Sequence, residues 1–290
     1  MNNPLHAAYY ADSAVALQAV VTASDEVAYK TYRLRILAPE IAGGIVPGQF
    51  VMLRLDGFDD PLIGRALAVY RVVRDGGNRA EELEVVYVAK GKLTTRLANL
   101  DPGQRVGIWG PLGNGFEPRA CDHLIMVAGG IGQTPFLALG AEAIGTEKFP
   151  ERENGYAKRV TLIYGTRSAN LIAGEADFLS AGIALDLCTD DGSRGTRGLV
   201  PDRLAALLDD RDPTQQTRVV CCGPEIMMQR VAEVCQTRQV PCQVSLETPM
   251  ACGIGICFSC VAKIKQADGE WDYKRTCVEG PVFDADKVVW

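Results

Sequence analysis

Histidine is the scarcest chemistry-bearing residue in this chain. Only His6 and His123 occur among 290 positions. So little imidazole leaves Ser-His-Asp and Cys-His nucleophilic catalysis poorly supported. His123 stands just before an apolar run and reads as a strand-start residue rather than a ligand. No apolar run is long enough to span a bilayer, so no membrane contact is expected. Basic charge is not in excess: 30 Lys and Arg face 36 Asp and Glu, for a formal net charge of -6. That balance argues against nucleic acid as the main partner. The opening Met1-Asn-Asn-Pro-Leu-His6 has no charged stretch followed by an apolar core. A cytoplasmic location is therefore expected. Internal repeats and low-complexity tracts are absent as well.

What is present is ordinary for a globular chain: 47% hydrophobic and 23% charged residues. The length suits two domains. β-prone runs at 17–21, 32–37, 50–55, 66–73 and 83–89 are separated by turn signals such as Pro47-Gly48 and Asp75-Gly76-Gly77-Asn78. They predict an antiparallel barrel over 12–118. One helix is expected over 93–100, stopped by Asp101-Pro102-Gly103. Past 119 the rhythm changes. Apolar runs at 124–128, 160–164, 184–188 and 218–222 alternate with helical stretches at 134–144, near Glu175, at 202–208 and at 224–238. That alternation predicts a Rossmann-like parallel α/β domain over 119–243. A small loop-rich segment, 244–290, completes an all-β plus α/β chain.

Four of the ten cysteines fall in that last segment, in the order Cys252-x4-Cys257-x2-Cys260-x16-Cys277. Gly253 and Gly255 between the first two let the backbone curl where other residues would collide. Backbone N–H groups in such a loop can point at sulfur and stabilise negative charge. The spacing is that of plant-type ferredoxins and favours a [2Fe–2S] cluster. A structural zinc and free or disulfide-bonded thiols stay open beside it. Zinc sites usually carry two short C-x2-C knuckles, whereas here one run holds three cysteines and the fourth is alone. Cys121, Cys188, Cys221, Cys222, Cys235 and Cys242 are scattered and read as small buried hydrophobes.

Gly129, Gly130 and Gly132 lie in a turn between a buried strand and a helix. There a pyrophosphate can approach the helix N-terminus. Cys222-Gly223-Pro224 opens a second strand-to-helix turn at the same sheet edge, which strengthens a dinucleotide reading. A third edge loop, Thr189-Asp-Asp-Gly-Ser-Arg194, adds carboxylates for a ribose or merely for solvent. Gly110 to Phe116 closes the barrel. A centre that moves single electrons, beside a site for a hydride carrier, implies a flavin to divide the pair.

On these residues the chain resembles the electron-transfer subunits of NAD-linked dihydroorotate dehydrogenases, within the ferredoxin-reductase-like flavoproteins. The resemblance is carried by Ser245-Leu-Glu247, Met250 to Cys260, Tyr273 to Phe283, Gly110 to Phe116, Gly129 to Pro135, Thr189 to Gly192 and Cys222 to Glu225. It implies FAD in the barrel cleft, held by Arg65, Ala66, Leu67 and Ala68 and by Lys90, Gly91, Thr94 and Thr95. Ala66 and Ala68 replace the proline and serine of the family's flavin motif, and Leu93 replaces a glycine. It implies NAD at the two glycine turns, and an FMN-containing dihydroorotate dehydrogenase catalytic subunit as partner, in a heterotetramer. Electrons would pass one at a time through the cluster to FAD, and then as a hydride to NAD+. No side chain need act as acid or base. Phe258 is expected on the partner face, or else packed inward as a loop anchor. The rivals are the same relay serving another catalytic partner, such as a flavin-dependent hydrogenase or glutamate synthase-like subunit, and a non-enzymatic regulatory or assembly module.

Overall fold

A computed structural model describes residues 11–290. His6 and the N-terminal leader reading lie outside them. Six antiparallel strands come first: β1 (Val15–Ala28), β2 (Thr31–Leu37), β3 (Phe50–Leu55), β4 (Arg65–Arg74), β5 (Ala80–Val88) and β6 (Arg105–Leu112). They close a barrel in the order β1-β2-β5-β4-β3-β6. Five of these were expected. β6 was not, because Gly107, Gly110 and Pro111 interrupt its apolar run. Two short helices sit in the connections, α1 (Pro39–Ala42) and α2 (Lys92–Leu97). α2 is the helix expected over 93–100, and it buries Leu93 and Leu97 in the barrel core.

The barrel interior takes alternate residues, Val51 and Leu53 of β3 and Val106 and Ile108 of β6 among them. On β3 the outward residues Phe50 and Met52 are apolar too, and both are buried. A one-sided sheet would expose polar residues there. Here another part of the chain covers that face.

The second sheet contains β7 (Cys121–Gly129), β8 (Ala157–Thr166), β9 (Ala184–Thr189), β10 (Thr196–Arg197), β11 (Thr217–Cys222) and β12 (Cys242–Ser245). A hairpin of β13 (Val261–Lys265) and β14 (Trp271–Arg275) precedes the last strand, β15 (Val282–Asp284). The sheet order is β10-β9-β8-β7-β11-β12-β15, parallel except for β15. The helices are α3 (Phe136–Ile144), α4 (Glu175–Ser180), α5 (Val200–Asp209) and α6 (Glu225–Thr237). The chain runs from β7 outward to β8 and β9, then returns to β11 on the other side of β7. A topological switch point therefore lies between the C-terminal ends of β7 and β11, where open α/β sheets bind ligands. The 243/244 division falls inside β12. The last segment is thus not detached, since it adds β15 to the sheet.

Barrel and sheet share a core, in which Tyr70, Val86 and Phe116 pack with Phe136 and Phe178. A polar seam borders it. The Tyr70 hydroxyl donates to Asp177 at 2.9 Å, and Arg71 pairs with the same carboxylate at 2.7 Å. Glu84, fully buried, lies 2.7 Å from Arg35. Cys121, Cys188, Cys221 and Cys235 are buried as expected, while Cys222 and Cys242 are half-buried. Burial pushes the Cys188 thiol up to about 11 and the Cys222 thiol up to about 12, so both stay protonated at neutral pH.

Candidate functional site

The cysteine loop lies on the outer, apolar face of β3 and β6. Cys260 and Cys277 are buried with Phe50, Met52, Leu112 and Val278. Gly253 and Gly255 have φ of +74° and +81°. A Cβ at Gly253 would come within 2.7 Å of Met52 Cγ, and one at Gly255 within 2.9 Å of Val278 Cγ2. Both positions therefore need glycine for conformation and for room. The Ile254 N–H points at Cys252 Sγ from 3.4 Å. Ser259 Oγ lies 3.2 Å from Cys257 Sγ and accepts from the Ala251 N–H.

Hydrogen bonding from Ser259, and then from Cys252, lowers Cys257 to about 6. Cys277 does the same for Cys260, which falls to about 6, while Cys277 itself is pushed up because the pair shares a proton. Among the described residues no three His, Cys, Asp or Glu side chains, the four cysteines included, are gathered closely enough to hold a metal ion. Four cysteines at this spacing suit a centre with two irons and four thiolates.

β6 and the loop after it hold both ends of this cage. Trp109 Nε1 donates to the Cys252 carbonyl at 2.9 Å. Asn114 Nδ2 donates to the carbonyls of Val282 and Glu279 at 2.9 and 3.3 Å, and its Oδ1 accepts from the Val282 N–H at 2.9 Å. The Gly110 to Phe116 stretch is thus a dock for the segment after Cys277, rather than a free surface loop. Thr276, fully buried, donates from both N–H and Oγ1 to the Cys260 carbonyl. None of these partners was read from the sequence.

The two glycine turns meet at the switch point. A Cβ at Gly132 would sit 2.2 Å from the Cys222 carbonyl oxygen, and one at Gly223 would sit 3.0 Å from Gly129 N. Gly129, Gly132 and Gly223 therefore let one turn pack on the other. Gly130 is different: at φ +55° it has open space around its Cβ direction. A 3-10 turn, Gly130–Gln133, comes before α3, which begins two residues later than expected. Pro224 leads directly into α6. In the third edge loop, Asp191 accepts from the Ser193 N–H and hydroxyl. Its carboxylate shapes the loop itself.

Arg65, Ala66, Leu67 and Ala68 open β4 opposite Leu53, Met52, Val51 and Phe50 of β3. Arg65 is exposed and forms no ion pair among the described residues. Ala66, Leu67 and Ala68 are half-exposed; Ala66 packs toward the cysteine loop and Leu67 toward the barrel core, and the exposed Arg65 guanidinium suits a phosphate. Thr94 Oγ1 accepts from the N–H groups of Lys90 and Gly91 at 3.1 and 3.0 Å and so shapes the turn into α2. Thr95 is exposed beside it. Leu93 points into the barrel core, so its side chain leaves this surface clear. His123 is buried in β7. It takes a hydrogen bond on Nδ1 from Arg159 at 2.7 Å and faces Thr161 Oγ1 from Nε2 at 2.8 Å. Burial, and then Arg159, lower it to about 4, so it is a neutral core residue.

Comparison with known proteins agrees with this layout. Residues 15–116 match an oxidoreductase FAD-binding domain, and 126–233 match an oxidoreductase NAD-binding domain. Residues 247–289 match the iron–sulfur cluster binding domain of dihydroorotate dehydrogenase B. The electron transfer subunit of dihydroorotate dehydrogenase B (NAD(+)) from Desulforamulus reducens is 38% identical, over 91% of this chain and 94% of that one. Its counterpart from Bacillus caldolyticus is 33% identical over the same shares. Among solved structures, a chain of the NADH-dependent reduced ferredoxin-NADP oxidoreductase superposes with a TM-score of 0.77 at 25% identity, covering 94% of this chain and 90% of that one. The ferredoxin reductase of carbazole 1,9a-dioxygenase, at 18% identity and a TM-score of 0.62, shares the fold over 79% of this chain and 67% of its own. No helix among the described residues is long and apolar enough to cross a membrane. With its FAD-binding, NAD-binding and iron–sulfur domains in this order, the chain belongs to the family of electron transfer subunits of NAD(+)-dependent dihydroorotate dehydrogenase B.

Proposed function

We propose that Cys252 and Cys257 hold one iron of the [2Fe–2S] cluster and that Cys260 and Cys277 hold the other. The observation that carries this is that Cys260 and Cys277 are buried on the β3–β6 face, where Trp109 of β6 anchors the loop that starts at Cys252. Arg65 to Ala68 and the Lys90–Gly91–Thr94–Thr95 turn would hold FAD, with the Arg65 guanidinium suited to its phosphates. Gly129, Gly130 and Gly132, with Cys222, Gly223 and Pro224, would hold NAD at the switch point. When bound, FAD supplies the conversion between single electrons and the hydride pair that NAD+ accepts. The chain's own side chains bind, orient and space these groups. None of them need move a proton.

The partner is an FMN-containing catalytic subunit that oxidises dihydroorotate, and the assembly is a heterotetramer. The cage is buried at Cys260 and Cys277 and open at Cys257. Beside that opening Ile256 and Phe258 are 72% and 63% exposed. Phe258 thus faces outward, under the Arg275 guanidinium at 5.3 Å. Phe58, Leu62 and Ile63, in the loop just before Arg65, are exposed as well. Apolar residues around an electron port suit a docked subunit. The six cysteines outside the cluster set form no disulfide among the described residues, which suits a reducing compartment such as the cytoplasm.

The test is anaerobic purification followed by metal analysis, optical spectra and EPR. Flavin bands, about two irons per chain and a reduced [2Fe–2S] signal are expected. Stoichiometric zinc without iron would sink the assignment. Co-expression with an FMN-type dihydroorotate dehydrogenase subunit should give a complex that reduces NAD+ with dihydroorotate. Failure to co-purify would favour a different catalytic partner.

A further inference from the structure

Trp109 touches both halves of the electron path. It lies on β6, paired with Met52 of β3. One end of its indole donates to the carbonyl of Cys252 at 2.9 Å. The other end lies against Gly64, where a Cβ would come within 2.9 Å of Trp109 Cη2. Gly64 immediately precedes Arg65, where the flavin strand begins. The same absent Cβ would lie 2.7 Å from the Leu53 carbonyl oxygen. Gly64 is thus kept bare by a strand backbone on one side and by the indole on the other. Met52 completes the platform by packing on Gly253, the residue after Cys252.

One ring therefore joins a proposed cluster ligand to the start of the proposed flavin strand, by one hydrogen bond and one van der Waals contact. An indole is rigid, with two side-chain torsions, so a ring anchored at both ends fixes a distance well. Single-electron transfer between two centres makes and breaks no bond. What the protein supplies is their separation and orientation.

We propose that Trp109 is a positioning residue that sets the spacing between the cluster loop and the flavin strand. This rests on the cluster and flavin assignments above. The test uses Trp109→Phe, which loses the N–H donor and shortens the ring, and Trp109→Leu, which loses the ring. Flavin and iron content are measured first. Stopped-flow mixing with NADH then follows the flavin and cluster absorbances separately, and EPR reads the reduced cluster. The expected result is unchanged flavin reduction by NADH with a severalfold slower flavin-to-cluster step, larger in Leu than in Phe. A broadened or shifted cluster signal should accompany it. Should the Leu variant lose its cluster, the Phe variant decides. Wild-type kinetics for both steps and an unaltered EPR line shape in Trp109→Phe overturn the proposal. A wild-type protein without flavin or iron, seen before any variant is made, overturns the underlying assignments and this proposal with them.

Discussion

The two ends of the electron path are built in different ways. The glycine turns sit at the ends of β7 and β11, adjacent parallel strands in register from Thr217 opposite His123 to Cys222 opposite Ala128. Their position follows from a backbone ladder. The Cys252–Cys257 stretch has no ladder beneath it, and Cys260 and Cys277 flank only the short β13–β14 hairpin. The stretch rests on the apolar backs of β3 and β6, with one side chain, Trp109, tying its start and another, Asn114, tying the segment after Cys277. A ladder distributes its stability over many backbone bonds. A few side-chain ties concentrate it, so single substitutions should release the loop while leaving the sheet intact.

The sharpest break in this contrast is Cys277→Ser. It removes one of the two thiols proposed for one iron, and a serine hydroxyl is a poor substitute for a thiolate. Cluster assembly should fail, with iron near zero by metal analysis and no reduced EPR signal. Flavin content and NADH-driven flavin reduction should persist, because neither turn touches Cys277. Loss of flavin reduction would show that the two ends are not independent.

Gly132→Ala is the reciprocal case. Its Cβ would meet the Cys222 carbonyl at 2.2 Å, and backbone cannot swing aside as a side chain can. Overpacking of this kind costs about 1–3 kcal/mol. NADH affinity and thermal stability should fall together, with cluster content kept. A variant that binds NADH normally would show that the turn-on-turn contact is slack.

Asn114→Ala should be milder. It removes three side-chain hydrogen bonds to the segment after Cys277, at a cost of about 1–3 kcal/mol. Hydrogen exchange should rise over the segment following Cys277 and stay unchanged in β7 and β11. Chelators should strip iron faster than from the wild type.

How much of this was legible beforehand divides along the same line. The cysteine set was readable because its spacing is local, and so was the alternation of strands and helices. The ties were not. Trp109 and Cys252 are 143 residues apart, and Asn114 and Val282 are 168 apart, so no short-range pattern links them. β6 escaped because its glycines, needed for close neighbours such as Val51 and Arg54, look like turn signals. Leu93 shows the converse error. Beside a flavin motif it reads as a lost glycine, yet its helical position turns it into the core. One signal for the dock was available, the apolar alternates of β3. Phe50 and Met52 are too hydrophobic for the outside of a small barrel unless something covers them.

At the polar seam where the barrel meets α4, the smallest effect is expected. Burial raises the Asp177 carboxyl, but the bond and charge of Arg71, with Tyr70 and Arg33, outweigh it and hold it below the usual carboxylate range. A depressed folded-state value means that the unfolded chain binds the proton more readily. The contribution to stability is therefore complete above the ordinary carboxylate range and is lost as pH falls through the folded value. The Asp177→Asn variant lacks this dependence. Denaturant midpoints should thus differ between wild type and variant at pH 7 and converge as pH falls below about 4. Salt should shrink the difference at pH 7, because the pair is partly exposed. A constant gap across that range would mean that Asp177 acts by shape alone. The seam would then belong with the ladder-built end of the molecule rather than with the side-chain-tied one.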